Sequence, residues 1–92
     1  MLVQRVSTIA GEEKMLKFNV KGTVYVIKNR TGGTIEVSVD QGTGIMLQDG
    51  ESQFLHINLN GNFSSQNIYI RPRVTSSVTE DGGGVEVQCV EW

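Results

Sequence analysis

The sequence predicts an all-β protein: a small single-domain antiparallel β-sandwich, Ig-like or jelly-roll-like, with seven or eight short strands and little or no helix. Three observations lead to this fold class. Among the 92 residues, 26 are Val, Ile or Thr, against five Leu and one Ala, and β-branched side chains favour strands over helices. Eleven Gly and six Asn supply the positive-φ positions of tight turns. Turn signals recur about every 8 to 12 residues, as in sandwiches and small barrels.

The first half of the chain predicts an N-terminal segment and three strands. Residues 1–13 have no clean period, so they form either an arm that reaches a neighbouring molecule or the first strand. Residues 14–20 alternate as a half-buried strand does. Residues 23–27 are apolar on both faces, as in a central strand, and the alternation over 35–39 is the clearest in the chain. Because the turn residues 29–33 connect these last two strands, we expect them to form an antiparallel hairpin.

The second half predicts four further short strands. They cover residues 45–47, 54–59, 68–74 and 85–89, and polar or Gly-rich turns separate them. Pro72 has no N–H group, so we expect its strand to be an edge strand or to carry a bulge. The sequence shows no two-turn helix, internal repeat or linker. Residues 1–92 are therefore predicted to form one β-sandwich domain.

No residue pattern indicates a catalytic or metal site. His56 is the only His, and no nucleophile or orienting carboxylate lies at a fixed spacing from it. The single Cys, Cys89, excludes an intrachain disulfide and a Cys-cluster zinc site, and its apolar surroundings predict a small buried side chain. The acidic turns lack the twelve-residue calcium loop. We therefore predict that the protein is not an enzyme and uses no metal or cofactor.

Four residues form the candidate binding site. Tyr69, Arg71 and Arg73 share one face of a predicted strand, and Trp92 is a further aromatic residue. Aromatic side chains on a sheet face bind sugars or single-stranded nucleic acid. A pI of about 5.2 and the lack of an RNP-like motif oppose nucleic acid. Carbohydrate is therefore the expected ligand class for such a site.

A competing interpretation places the aromatic side chains inside the molecule. In it, three aromatic residues belong to the core and a fourth closes one end of the sandwich. The three core residues are Tyr25, Phe54 and Phe63, and the fourth is Trp92. On this interpretation the sheet faces offer no aromatic platform.

The charges are divided unevenly along the chain. Residues 1–30 hold six basic and two acidic side chains, a net charge of +4, whereas residues 31–92 hold two basic and eight acidic ones, a net charge of -6. If the first third of the chain lies at one edge, identical subunits could pack head to tail. The alternative is that antiparallel pairing interleaves the two groups and cancels the asymmetry.

Residues 22–60 carry a Gly-Gly turn, a Gly-Thr-Gly turn and an Asp-Gly-Glu-Ser turn between short Val/Ile strands. This pattern resembles small glycine-rich β-sandwich modules of virus and phage particles and of larger enzymes, without a motif that identifies a family. We therefore expect a non-enzymatic structural or assembly protein that contacts copies of itself or other protein subunits, as in phage or virion particles. The alternative function is a carbohydrate- or ligand-binding module.

Two features of the sequence bear on where the protein resides. The start of the chain lacks the pattern of a signal peptide. The longest uninterrupted apolar run is Val24–Ile27, whereas about 20 residues are needed to span a bilayer. We expect no membrane partner and a cytoplasmic location, either free or within a particle.

Overall fold

Strands account for all regular structure in the part of the chain that the structure describes. A computed structural model describes residues 1–39, 44–57 and 66–92. Within these ranges it contains eight strands and no helix, and so no helix that could cross a membrane. The all-β prediction is confirmed. The strands are β1 (Leu2–Val6), β2 (Lys14–Phe18), β3 (Val24–Arg30), β4 (Ile35–Val39), β5 (Ile45–Leu47), β6 (Ser52–His56), β7 (Gln66–Pro72) and β8 (Gly84–Glu91).

The strands form two four-stranded antiparallel sheets with a nested connectivity. The first sheet has the order β1-β8-β3-β6 and the second has the order β2-β7-β4-β5. Strand β1 pairs with β8, β2 with β7, β3 with β6 and β4 with β5. The chain is thus one long hairpin that is rolled up, so that successive pairs alternate between the sheets. This is the jelly-roll arrangement and not the strand order of an immunoglobulin domain.

The core lies between the two sheets and is built from the inward rows of their strands. Phe18 of the second sheet and Tyr25 of the first are in edge-to-face contact, with ring centroids 5.4 Å apart, a favoured aromatic geometry. The buried cluster consists of Leu16, Phe18, Tyr25, Ile27, Ile35, Val37, Leu47, Ile68, Ile70, Val85, Val87 and Cys89. Ile35 and Val37 of the alternating segment 35–39 are fully buried, and Cys89 is buried as predicted.

The expected hairpin between β3 and β4 does not form, because the two strands lie in different sheets. The side chain of Asn29, which is fully buried at the end of β3, stabilises the segment that carries the chain from the first sheet to the second. Its Nδ2 donates hydrogen bonds to the carbonyl oxygens of Gly33 (2.7 Å) and Leu47 (3.0 Å). Its Oδ1 accepts hydrogen bonds from the backbone N–H and the hydroxyl of Thr31. Asn29 thus ties the first sheet to β5 of the second.

The prediction that Pro72 marks an edge strand or a bulge is wrong. Strand β7 lies between β2 and β4, and Pro72 is its last residue. Arg73 N–H donates to the Thr34 carbonyl on the β4 side (3.2 Å), so by alternation the backbone of Pro72 faces the β2 side. Strand β2 does not extend that far, and only Gly11 N–H reaches the Pro72 carbonyl (3.1 Å). The missing N–H therefore interrupts no ladder.

The N-terminal segment is the first strand and not a free arm. Residues Leu2–Val6 pair with β8 along their whole length. Beyond β1, Thr8 is buried and forms a two-way backbone bridge with Ser76. Its hydroxyl donates to the Val74 carbonyl (2.9 Å). Hydrogen bonds therefore hold residues 2–6 to β8 and Thr8 to the segment 74–76.

Candidate functional site

The four predicted binding residues do not come together. Tyr69 and Arg71 lie on the outer face of β7, in the second sheet, and Arg73 is exposed just beyond the end of that strand. Trp92 follows β8, in the first sheet, and is 57% exposed. Of the four, Tyr69 and Arg71 lie on the same face of one strand.

Arg71 is already occupied by intramolecular ion pairs. Its Nε lies 2.7 Å from a carboxylate oxygen of Glu13, and its Nη1 lies 2.8 Å from one of Glu36. Nη1 also approaches the hydroxyl of Ser38 at 3.4 Å. The two carboxylates more than neutralise the single charge of the Arg71 guanidinium, so Arg71 supplies no excess positive charge for an anionic ligand.

The aromatic residues divide between core and surface. Tyr25 is fully buried, as the competing interpretation predicted, but Phe54 is 62% exposed and Trp92 closes no end of the sandwich. Phe54 lies opposite Val26 on the outer face of the edge strand β6, where no other described strand covers it. Trp92 lines a shallow surface depression with Thr23, Val90 and Glu91. Phe63 lies outside the described residues, as does the end of the strand predicted at 54–59.

The described interior contains a buried thiol and a hydrogen-bonded Tyr–Gln pair. Burial raises the pKa of the Cys89 thiol, and the Cys89 side chain is fully enclosed, as expected of a small buried residue. The hydroxyl of Tyr25 donates a hydrogen bond to Oε1 of the buried Gln66, and no described residue pairs with Gln66 Nε2. Within the described ranges no group of His, Cys, Asp or Glu could hold a metal ion.

Glu86 is a buried carboxylate that the sequence analysis missed. It lies on the outer face of β8, and its side chain is only 9% exposed. Oε1 accepts a hydrogen bond from Arg5 Nε on β1 (2.8 Å) and Oε2 lies 3.4 Å from Lys28 Nζ on β3. Gln88 Nε2 donates a further bond to Oε2 (2.8 Å). No local motif marks this cluster, because its members meet only once β8 pairs with both β1 and β3.

The Glu86 cluster also bears on the uneven charges of the chain. Arg5 and Lys28 come from the basic first third of the sequence, whereas Glu86 comes from the acidic remainder. The ion pairs of Arg71 likewise join the two parts of the chain, through Glu13. At these positions antiparallel pairing interleaves opposite charges, so they supply no separate positive edge.

Exposed apolar side chains mark all four edges of the two sheets. The edge strands are β1 and β6 in the first sheet and β2 and β5 in the second. Each of them carries a large hydrophobic side chain that is 45% exposed or more. These edge side chains are Val3 on β1, Met15 on β2, Met46 on β5 and Phe54 on β6. Free strand edges with apolar neighbours are pairing surfaces, so we take them as the candidate functional site.

Comparison with known proteins supports the fold alone. No protein-family model and no curated protein matches the chain. The chain is similar to a solved structure described as a de novo designed double-stranded β-helix, determined by solution NMR. The two are 25% identical with a TM-score of 0.59, over 95% of this chain and 94% of that one. A double-stranded β-helix is a jelly roll, in agreement with the nested strand order, and the description states no ligand or activity.

Proposed function

We propose that this protein is a non-enzymatic assembly subunit that joins copies of itself through the edges of its sheets, as subunits of phage or virion particles do. The observation that carries the proposal is the exposed apolar side chain on each of the four edge strands. An edge strand presents a row of unpaired N–H and C=O groups, which is a template for another strand. An apolar side chain beside that template adds surface to bury when the strands pair.

The outer faces of the inner strands support the same assignment. Most of their side chains are polar or charged, and the apolar Val24 and Val26 on β3 are only 9% exposed. Polar examples are Lys28, Glu86 and Gln88 in the first sheet and Glu36, Ser38 and Arg71 in the second. Within the described strands, the large exposed apolar side chains lie on edge strands, whereas Met1, Ile9 and Trp92 are exposed outside the strands.

The fold is compatible with this role but does not decide it. Jelly rolls occur in viral capsid proteins and also in lectins and cupins, so function has to be argued from the surface and not from the fold. In this chain the space between the sheets is filled by the apolar cluster. The contacts available for assembly are thus on the surface, and the sheet edges are the part of it that carries unpaired backbone groups.

Size-exclusion chromatography with light scattering tests the proposal. The reduced protein is measured over a range of concentrations, at low salt and at about 1 M salt, where the Debye length is roughly 3 Å. We expect an oligomer that persists at high salt, because backbone hydrogen bonds and apolar contacts hold it. A monomer at every concentration and salt would refute the assembly function.

Carbohydrate binding at Trp92 is the second candidate function. The exposed Trp92 lines a shallow depression with Thr23, Val90 and Glu91, and sugar sites combine an aromatic platform with polar groups. Trp92 is the only Trp in the chain, so its fluorescence reports directly on this position. If soluble glycans of varied composition leave the fluorescence unchanged, this candidate is discarded.

A further inference from the structure

We infer that strand β6 is the edge through which two copies of this chain join, in antiparallel register about a two-fold axis at Phe54. The inference rests on the proposed assembly function and names its contact surface and its partner, a second copy. Pairing of the two β6 strands would turn the four-stranded sheet β1-β8-β3-β6 into a continuous eight-stranded one. Backbone geometry, side-chain pattern and the character of the other edges each support it.

Among the described residues, no backbone group pairs with the outer edge of β6, which presents an open row of hydrogen-bonding groups. Two hydrogen bonds bracket its ladder with β3: Asn29 N–H donates to the Glu51 carbonyl, and Ile57 N–H donates to the Thr23 carbonyl, both at 2.9 Å. In an antiparallel ladder, residues that bond to the neighbour alternate with residues whose groups point away. Odd-numbered residues of β6 therefore bond to β3, and even-numbered ones face outward. The outward residues are Ser52, Phe54 and His56.

This row is complementary to itself. In an antiparallel pair centred on Phe54, that residue lies opposite Phe54 of the second copy, and Ser52 lies opposite His56. Each opposed pair exchanges two N–H···O=C bonds. All outward N–H and C=O groups of both strands are then satisfied, with no bulge and no shift of register. Because the backbone spacing is common to all antiparallel strands, the choice of a second copy rests on the side chains of β6.

The side chains on the outer face fit the same register. Phe54 is 62% exposed in the single chain and lies opposite Val26 of β3. Pairing would bring the two Phe54 rings side by side and produce an apolar row that runs from Val26 of one copy to Val26 of the other. Aromatic cross-strand pairs stabilise antiparallel sheets. The most exposed aromatic side chain of the described residues would thus become the centre of the contact.

The other three edges carry features that oppose pairing. Strand β1 carries Arg5, and β2 carries Lys14 and Lys17. The carbonyl of Lys17 also accepts a hydrogen bond from Gln4 Nε2 (2.6 Å), which occupies part of the β2 edge. Strand β5 has only three residues. Charged side chains and short strands are the usual protection of sheet edges.

Strand β6 has no such protection. Its sequence, Ser-Gln-Phe-Leu-His, contains no Lys, Arg, Asp, Glu or Pro. Two copies can therefore approach without repulsion between like charges, and the strand offers no charge that would select an acidic or basic partner. This absence of charge, with the self-complementary backbone, favours a second copy of the same strand.

The first test places a charge at the centre of the contact. In Phe54→Lys, the ammonium groups of two copies would face each other, and we expect dimerisation to weaken by more than about 100-fold. Ile9→Lys is the matched control, because Ile9 is an apolar residue that is 46% exposed and lies outside the eight strands, so this change should leave dimerisation unchanged. Sedimentation equilibrium gives the dissociation constants. Thermal unfolding by circular dichroism shows that both variants fold.

The second test removes a backbone donor and keeps Phe54. Ser52→Pro deletes an outward N–H group, whereas the ladder with β3 uses the neighbouring odd-numbered residues. Proline is tolerated on an edge strand where its nitrogen faces solvent, so the single chain should fold. We expect dimerisation to weaken as in Phe54→Lys, because pairing with His56 of the second copy loses a hydrogen bond and meets the ring.

The outcomes separate this inference from the proposed function. A wild-type dimer that both β6 variants weaken and Ile9→Lys leaves intact supports the inference. A wild-type oligomer that either β6 variant leaves intact, or that Ile9→Lys weakens equally, overturns the β6 register but leaves the assembly function standing. A wild-type monomer at every concentration overturns both.

Discussion

Replacing Glu86 by Gln tests whether the buried carboxylate on the first sheet stabilises the fold. The side chain is 9% exposed, whereas Arg5 and Lys28 beside it are 46% and 30% exposed. Glu86 accepts hydrogen bonds from Arg5 Nε and Gln88 Nε2, each at 2.8 Å. The substitution keeps the shape of the side chain and removes its charge, so it isolates the electrostatic contribution.

The expected cost follows from these contacts. Hydrogen bonds to a charged acceptor are roughly twice as strong as neutral ones, and the new amide N–H₂ would face a donor, Arg5 or Gln88, where an acceptor stood before. Because Arg5 and Lys28 reach solvent, neither becomes a buried unpaired charge, which would cost about 3 to 5 kcal/mol. We expect Glu86→Gln to lower the free energy of unfolding by about 1 to 2 kcal/mol at neutral pH.

The direction of the pKa shift of Glu86 determines how this stabilisation changes with pH. Burial alone would raise the pKa of Glu86, but the hydrogen bonds from Arg5, Gln88 and Lys28 and the charge of Lys28 together hold it below its ordinary value of 4.5. As the pH falls, the unfolded chain therefore takes up this proton before the folded one does. The stabilisation is complete above pH 4.5 and is lost as the pH falls through the folded-state pKa. The gap between wild type and Glu86→Gln should close in acid.

Urea unfolding at about pH 7 and about pH 2.5, followed by circular dichroism, measures this gap. Glu36→Gln is the matched control, because Glu36 pairs with Arg71 while both side chains are more than 40% exposed. An exposed pair of this kind contributes about 0 to 1 kcal/mol. A gap for Glu86→Gln that is equally large at both pH values, or no larger than that of the control, would refute the electrostatic explanation.

Two further substitutions and one labelling experiment test the packing of the interior. Tyr25→Phe removes the hydroxyl that donates to Gln66 Oε1 and should cost about 1 to 3 kcal/mol in urea unfolding; an unchanged midpoint would contradict this. Gly84 has φ +66° and an added Cβ would collide with the Val6 carbonyl, so Gly84→Ala should cost at least about 2 kcal/mol, seen as a lower unfolding temperature. The thiol of Cys89 is buried and its pKa is raised, so a thiol reagent should label it at least about 1000-fold more slowly than in urea; rapid labelling of the native protein would show that this core opens.

The strands and their inward faces could be predicted because alternation is a local property. On β4, Ile35 and Val37 are apolar and fully buried, whereas the residues that alternate with them, Glu36 and Ser38, are polar. Cys89 follows the same rule on β8. In an alternating strand such as β4, the two faces are distinguished by residues two positions apart, and no knowledge of the partner strand is needed.

The pairing of strands could not be predicted in the same way. The residues 29–33 have the composition of a hairpin turn, and a turn of that composition can equally carry the chain from one sheet to the other. What decides between the two is Asn29, whose buried amide bonds to the carbonyls of Gly33 and Leu47. Leu47 belongs to a strand in the opposite sheet, so the decisive contact lies 18 residues away and leaves no mark in the local pattern.

The ion pairs of Arg71 could not be predicted for a related reason. An Arg on the polar face of a strand looks like a free cation until its neighbours are known. Glu13 and Glu36 come from other parts of the chain and reach it only through the pairing of β7 with β2 and β4. Local sequence identifies the charge, and topology determines whether it is available to a ligand.

Topology also determines which apolar residues remain exposed. Phe54 and Leu55 are adjacent hydrophobic residues on β6, and alternation requires one to face inward and one outward. Strand β3 pairs with β8 on one side and with β6 on the other, so β6 has a single neighbour among the described strands and Phe54 no cover beyond it. On an inner strand, neighbours on both sides would partly cover the same side chain. An exposed aromatic residue at an uncharged edge leaves both apolar surface and backbone groups unpartnered in one place, and a second β6 strand satisfies both at once.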